Sequence, residues 1–297
     1  MSNRHFLPDV ALVLEGGGMR AAYTSACVDR LIAEGLDFGW VGGISAGASL
    51  SVNYLSRDRP RTRESFVDMS ADGRYGGWGT WLRGRGYFDS EFIYETAPLP
   101  DGPAPYDFDA FLAHPARLRI PAVREDTGEQ VVWGREDIAG MGDLMRRVRA
   151  TSTMPWFMVP PEIDGVRYVD GALGPSGGIP LDLAEADGFR RFLVLSTRTR
   201  DYRKEEVARP NLLRRAFPRT PAVAEALIAR PARYNAMKDR LLELERAGRA
   251  MLFFPEEMDL SNRERRVPRL RAAFAAGAAQ TERELPAWRE FLGLDGA

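Results

Sequence analysis

Five apolar residues, Val10-Ala11-Leu12-Val13-Leu14, run unbroken into Glu15-Gly16-Gly17-Gly18, and helical spacing begins immediately afterwards. No other feature restricts the fold as much. A short, wholly apolar run bounded by glycine is the pattern of a strand buried on both faces, and such strands belong to parallel sheets. Over about residues 19–33 the apolar positions Ala22, Ala26, Val28 and Leu31 keep helical spacing, and Gly35 stands where a C-terminal cap belongs. A second strand fits residues 38–44 and a helix fits residues 46 to about 55. Strand, helix, strand, helix predicts a parallel sheet with covering helices.

Residues 73–106 read differently. Glycines alternate with Tyr75, Trp78, Trp81, Tyr87, Phe88, Phe92 and Tyr94, and a proline-rich loop follows at 97–103. Asp126-Thr127-Gly128 and Asp164-Gly165 predict turns in two hairpins, 117–133 and 162–169. Between them Asp143 can cap a helix running to about Thr151. Apolar runs at 192–196 and 251–254 complete the strands. Residues 220–246 read as helical, with Pro221 in the first turn and an interruption at Pro231. Two more helices are predicted in the tail, with Thr281 to Glu284 fitting a capping box. No repeat and no polar linker divides the chain. The expectation is an α/β catalytic region over 1–200 and a mostly helical extension over 201–297, packed on the same domain, with one strand near 251–254.

Composition removes several classes of function. The 41 basic and 42 acidic residues leave a net charge of −1, so the chain has no global electrostatic reason to seek nucleic acid or anionic lipid. The single cysteine, Cys27, makes neither an internal disulfide nor a cysteine-based zinc site. The N-terminal stretch has no apolar h-region, and no 18-residue run is both apolar and uncharged, so neither a secretory signal nor a transmembrane helix is expected. The expected compartment is the cytoplasm. Only two histidines are present, His5 and His114.

The glycine loop has three competing uses beyond a plain tight turn. A Walker loop needs Gly-Lys-Ser/Thr, and no lysine is near. A dinucleotide fingerprint fits Gly16, Gly18 and Ala21, but it needs an acid at the end of the second strand, where Gly43-Ile44-Ser45 stand instead. The third use is an oxyanion hole, in which backbone N–H groups meet charge that develops during acyl transfer.

An oxyanion hole requires a nucleophile. Gly43-Ile44-Ser45-Ala46-Gly47 matches the G-x-S-x-G elbow, where a serine sits in a sharp strand-to-helix turn and small residues on either side let the chains pass closely. Gly174-Pro175-Ser176-Gly177-Gly178 matches too, but no strand leads directly into it, so Ser176 reads as a loop residue. Ser45 then needs a base. His5 lies near the chain start and His114 precedes Pro115 in an alanine-rich stretch, so a Ser-His-Asp arrangement is not expected. Asp170 follows the strand pattern Val166-Arg167-Tyr168-Val169 and precedes Gly171-Ala172. It either points into a cleft or closes a simple Asx-turn.

At this point the chain resembles the patatin-like phospholipases. Gly16-Gly17-Gly18-Met19-Arg20, Gly43-Ile44-Ser45-Ala46-Gly47 and Asp170-Gly171-Ala172 are similar to that family's oxyanion loop, elbow and Asp-Gly-Gly/Ala motif, in the same order. Residues 149–155 are similar to its helix end before the Asp hairpin. Glu15 and Ala21 depart from the Asp and Gly often found there. The resemblance implies a three-layer α/β/α fold with a mainly parallel sheet. It also implies a Ser45–Asp170 dyad without histidine, an oxyanion hole from Gly16, Gly17 and Gly18, and hydrolysis of phospholipid or lysophospholipid acyl esters without metal or cofactor. Arg20 either contacts an anionic head group or supports the loop. The aromatic stretch 75–94 lines an acyl groove, forms a lid, or simply packs the core. General carboxylesterase, thioesterase or transacylase chemistry fits the same site, and non-catalytic nucleotide or lipid binding is the competing class. Membrane contact is expected to be transient at most, and the oligomeric state stays open.

Overall fold

The computed structural model of the chain describes residues 4–294, so residues 1–3 of the stretch read above for a secretory signal lie outside the described residues. Its strands are β1 His5–Leu14, β2 Leu36–Gly43, β3 Arg117–Arg124, β4 Gln130–Trp133, β5 Glu162–Ile163, β6 Val166–Val169, β7 Arg191–Leu195 and β8 Ala250–Phe253. They form one sheet in the order β5-β6-β3-β2-β1-β7-β8, with β4 paired to β3. From β3 through β8 the neighbours β3-β2-β1-β7-β8 are all parallel, and antiparallel pairing is confined to β4, β5 and β6.

The five longest helices are α1 Ala21–Ala33, α2 Ala46–Leu55, α3 Met141–Thr151, α4 Pro221–Arg246 and α5 Val267–Leu292. Strand side chains alternate between two apolar layers. Leu12, Leu14, Leu193 and Leu195 face α1, α2, α3 and α5, whereas Ala11, Val13, Phe192 and Val194 face α4 and the short helix Leu181–Ala186. This is the three-layer α/β/α arrangement. Sheet order runs outward in opposite directions from β1, so the loops after β1, β2 and β7 meet at the carboxyl edge, where crevices open in such sheets.

The C-terminal third is built into the same body. β8 extends the sheet beside β7, and α5 crosses α1 so closely that a Cβ on Gly277 would lie 2.2 Å from the Tyr23 carbonyl oxygen. Three local expectations fail here. α4 runs unbroken through Pro231, because Arg230 and Arg233 on either side donate to the Gly177 (3.2 Å) and Leu173 (2.8 Å) carbonyls and pin that stretch to the core. Thr281 caps nothing and the tail is the single helix α5. Its buried hydroxyl donates to the Gly277 carbonyl one turn back (2.7 Å), and tertiary burial overrides the local capping pattern. α3 begins at Met141, and Asp143 works from inside its first turn by accepting the Ala139 N–H at 3.0 Å.

Candidate active site

Ser45 joins β2 to α2 with φ 56° and ψ −124°, a left-handed conformation that a residue bearing a Cβ rarely adopts. The surroundings hold it there. A Cβ on Gly43 would lie 2.2 Å from the Gly47 carbonyl, and one on Gly47 would lie 2.2 Å from the Leu14 carbonyl oxygen. Both elbow glycines are therefore demanded by close chain approach.

The glycine loop stands next to this turn. Gly16 donates its N–H to the Gly178 carbonyl (3.0 Å), and Met19 donates to the Asn262 carbonyl (3.1 Å). Between them, the Gly17 and Gly18 N–H groups donate to no described residue. Gly18 has φ 56°, and its α-carbon abuts Asn262 so tightly that a Cβ would sit 2.4 Å from that carbonyl oxygen. Glu15 braces the loop from below, accepting the Thr197 N–H (2.8 Å) and the Tyr234 hydroxyl (2.9 Å).

Asp170 reaches the serine from β6. Its carboxylate accepts the Ala172 N–H at 2.9 Å, closing the Asx-turn, and the Ser45 hydroxyl lies close enough to favour its ionised form. Burial pushes the Asp170 carboxyl above its ordinary value, against the opposing pull of the Arg230 charge, of the Ala172 N–H and of the Ser45 hydroxyl.

The end of α3 ties the pair together. Thr151 Oγ1 accepts the Ser45 N–H (3.2 Å), and the Thr153 carbonyl accepts the Asp170 N–H (2.9 Å). Sequence reasoning missed both threonines as positioning residues, because nothing in local spacing links positions 45, 151 and 170. Thr151→Val should therefore lower kcat about tenfold with little change in KM, since it strands a buried N–H and frees the elbow. Steady-state kinetics on a short-chain ester check this, and an unchanged kcat would deny Thr151 the role.

Ser45 opens onto a narrow, mostly apolar slot lined by Met19, Phe66, Tyr75, Phe88, Ile93, Tyr94, Met154 and Met158, with Ser152 and Asn262 as polar neighbours. Phe66, Tyr75, Ile93 and Tyr94 also line a second small space that reaches Asn53 and Arg61, which are bonded to each other at 3.0 Å. Phe66 and the Ile93–Tyr94 pair stand on π-helical turns, wider than an α-helix and frequent at functional sites. The aromatic stretch thus divides. Tyr75, Phe88 and Tyr94 line the slot, whereas Trp78 and Trp81 are exposed and pack edge-to-face against each other.

The remaining residues lie elsewhere. His114 caps the C-terminal end of the short helix Phe108–Ala113 and is buried. Its Nδ1 accepts the Ala116 N–H (3.2 Å), which puts the proton on Nε2, facing Asp37. Asp37 stands at the start of β2 and Ser45 beyond its end, roughly 25 Å apart at about 3.3 Å per residue. His5 begins β1, at the far end from the glycine loop. Ser176 donates to Asp182 (2.8 Å) in a buried loop, without the left-handed elbow conformation. Arg20 follows the glycine loop, only 9% exposed, and its side chain makes no hydrogen bond to a described residue.

The sequence pattern of the patatin-like phospholipases matches residues 12–184, more than half of the chain. The chain belongs to this family. Membership makes it a hydrolase of lipid acyl esters. A second match, over residues 220–293, is to a domain of unknown function, DUF6363, and covers α4, β8 and α5. No curated protein matches the sequence. Among solved structures, VipD from Legionella pneumophila superposes with a TM-score of 0.50 at 12% identity, over 94% of this chain and 67% of that one. At such identity the likeness concerns the fold. It agrees with a patatin-like architecture for this phospholipase-family chain.

Proposed function

We propose that Ser45 and Asp170 form the catalytic dyad of an enzyme that hydrolyses phospholipid or lysophospholipid acyl esters through an acyl-enzyme. The observation that carries this reading is Ser45, held in a left-handed elbow at the mouth of a mostly apolar slot with the buried Asp170 carboxylate acting beside it. Ser45 Oγ attacks the ester carbonyl carbon as its proton passes to Asp170. The oxyanion takes hydrogen bonds from the Gly17 and Gly18 N–H groups, each contributing about 3–4 kcal/mol in sites of this kind. Collapse expels the alcohol, which recovers the proton. Asp170 then takes a proton from water, which attacks the acyl-enzyme and releases the fatty acid.

Slot chemistry favours a hydrocarbon chain. Met19, Met154 and Met158 at the serine end, with Met69 and Met145 in the adjoining space, give walls that adjust to a flexible chain. No helix among the described residues is long and apolar enough to cross a membrane. Within this reading the enzyme works from the cytoplasm and meets bilayers transiently. A fluorophosphonate probe should label Ser45 alone, with the label lost in Ser45→Ala, as peptide mass spectrometry will read. A folded wild-type chain that stays unlabelled would sink the dyad.

A further inference from the structure

Four cations lie close enough to act on one another beside the glycine loop, and none of their side chains pairs with a carboxylate among the described residues. Arg20 comes from the end of that loop, Arg198 and Lys204 from the segment after β7, and Arg230 from α4. Their side chains make one hydrogen bond to a described residue, from Arg230 Nε to the Gly177 carbonyl at 3.2 Å. Arg198 otherwise lies over the Tyr202 ring (4.2 Å), and the Lys204 ammonium lies over the Tyr234 ring (4.9 Å). The Nε atoms of Arg20 and Arg198 are buried without an acceptor. Arg20 as a whole is nine-tenths buried. Two acids face the group: Glu15, whose two oxygens already accept from Thr197 and Tyr234, and Asp170, on which Arg230 acts.

Such an arrangement is costly as it stands. Burial and then the charge of Arg198 pull Arg20 down to about 10. Burial, followed by Arg230, pulls the Lys204 ammonium down to about 7, with Arg198 and Arg20 acting in the same direction. Buried guanidinium nitrogens without an acceptor are the inverse of what stable interiors contain, and an anion supplied from outside resolves them.

We infer that Arg20, Arg198, Arg230 and Lys204 hold a phosphate-type oxyanion beside the dyad, on the α4 side of the sheet. The position suits the proposed reaction. The slot is walled by the α1, α2 and α5 layer, and the cations gather around Tyr202 and Tyr234 of the α4 layer, with the elbow between them. Arg230 also acts on the Asp170 carboxyl, which ties the cluster to the dyad. A glycerolipid has the same order: acyl chain, ester, then phosphate. The assignment of the anion to a lipid rests on the acyl-hydrolase reading, but the binding of phosphate does not.

Calorimetric titration of the wild-type and Ser45→Ala chains with inorganic phosphate, glycerol 3-phosphate and glycerophosphocholine, at ionic strength fixed with chloride, tests this. Phosphate and glycerol 3-phosphate should bind both chains. The double variant Arg198→Gln/Lys204→Met should weaken them about tenfold or more while keeping its native circular dichroism. Competition by glycerophosphocholine assigns the site to a lipid head group, whereas binding of the monoesters alone assigns it to a soluble phosphate. No saturable heat and no rise in Tm with any of the three, or unchanged affinity in the folded double variant, overturns the inference. Because Ser45→Ala carries no nucleophile, these outcomes stand apart from the fate of the dyad.

Discussion

Asp170→Asn should leave a folded protein whose kcat/KM falls by about 10²- to 10⁴-fold, the range a positioned general base contributes. Asparagine is nearly isosteric, and its carbonyl oxygen still accepts the Ala172 N–H, so the turn after β6 survives. What disappears is the group to which the proposed dyad assigns the serine proton. Because burial raises the Asp170 carboxyl, the acid limb of the kcat/KM profile should lie above the ordinary aspartate value of about 3.9. The base works ionised, so the rate falls as pH drops through that raised value. Arg230 favours the ionised form, so Arg230→Gln should move the limb to still higher pH. Rate profiles of the three chains on a neutral short-chain ester decide the matter, and full turnover by Asp170→Asn would assign the proton to another group.

Gly47→Ala should destabilise the fold by about 3 kcal/mol or more, despite the gain of about 1 kcal/mol that alanine brings to a helix interior. The added methyl would sit 2.2 Å from the Leu14 carbonyl oxygen, and that oxygen belongs to the central strand β1, which cannot withdraw. Gly43→Ala meets the Gly47 carbonyl at 2.2 Å and should behave alike. Gly73→Ala is the control, for its methyl meets nothing within 4 Å and should change stability by about 0.5 kcal/mol or less. Urea midpoints at constant m separate these outcomes, and a Gly47→Ala midpoint equal to that of Gly73→Ala would remove the steric account of the elbow.

Legibility followed how local each signal was. The strand run before Gly16, the elbow around Ser45 and the turn after Asp170 are each set by a few neighbouring residues. Their local geometry was therefore readable from spacing: Ser45 takes the left-handed elbow and Asp170 closes its turn. The scarcity of histidine was equally readable, although His114 proved buried against Asp37. Signals failed where distant packing outweighs a local preference. Pro231 does not break α4, and Thr281 lies inside α5 with its hydroxyl directed at Gly277 and Cys27. Of the cluster only Arg20 was singled out in sequence, beside its motif; Arg198, Lys204 and Arg230 come from separate positions in a chain rich in arginine, and nothing local links them.

Asn262 gives its backbone carbonyl to Met19 and fills the space over Gly18, and this contact has a consequence for experiments that cut or graft the chain. The geometry that would receive an oxyanion is completed by a residue more than two hundred positions downstream of it. A fragment ending near residue 200 would keep every signature motif and still present a slack cradle, missing also the edge strand β8. Deletion mapping of such a protein would mistake a broken scaffold for a lost regulator. For transplantation into another framework, the smallest portable block is the whole chain.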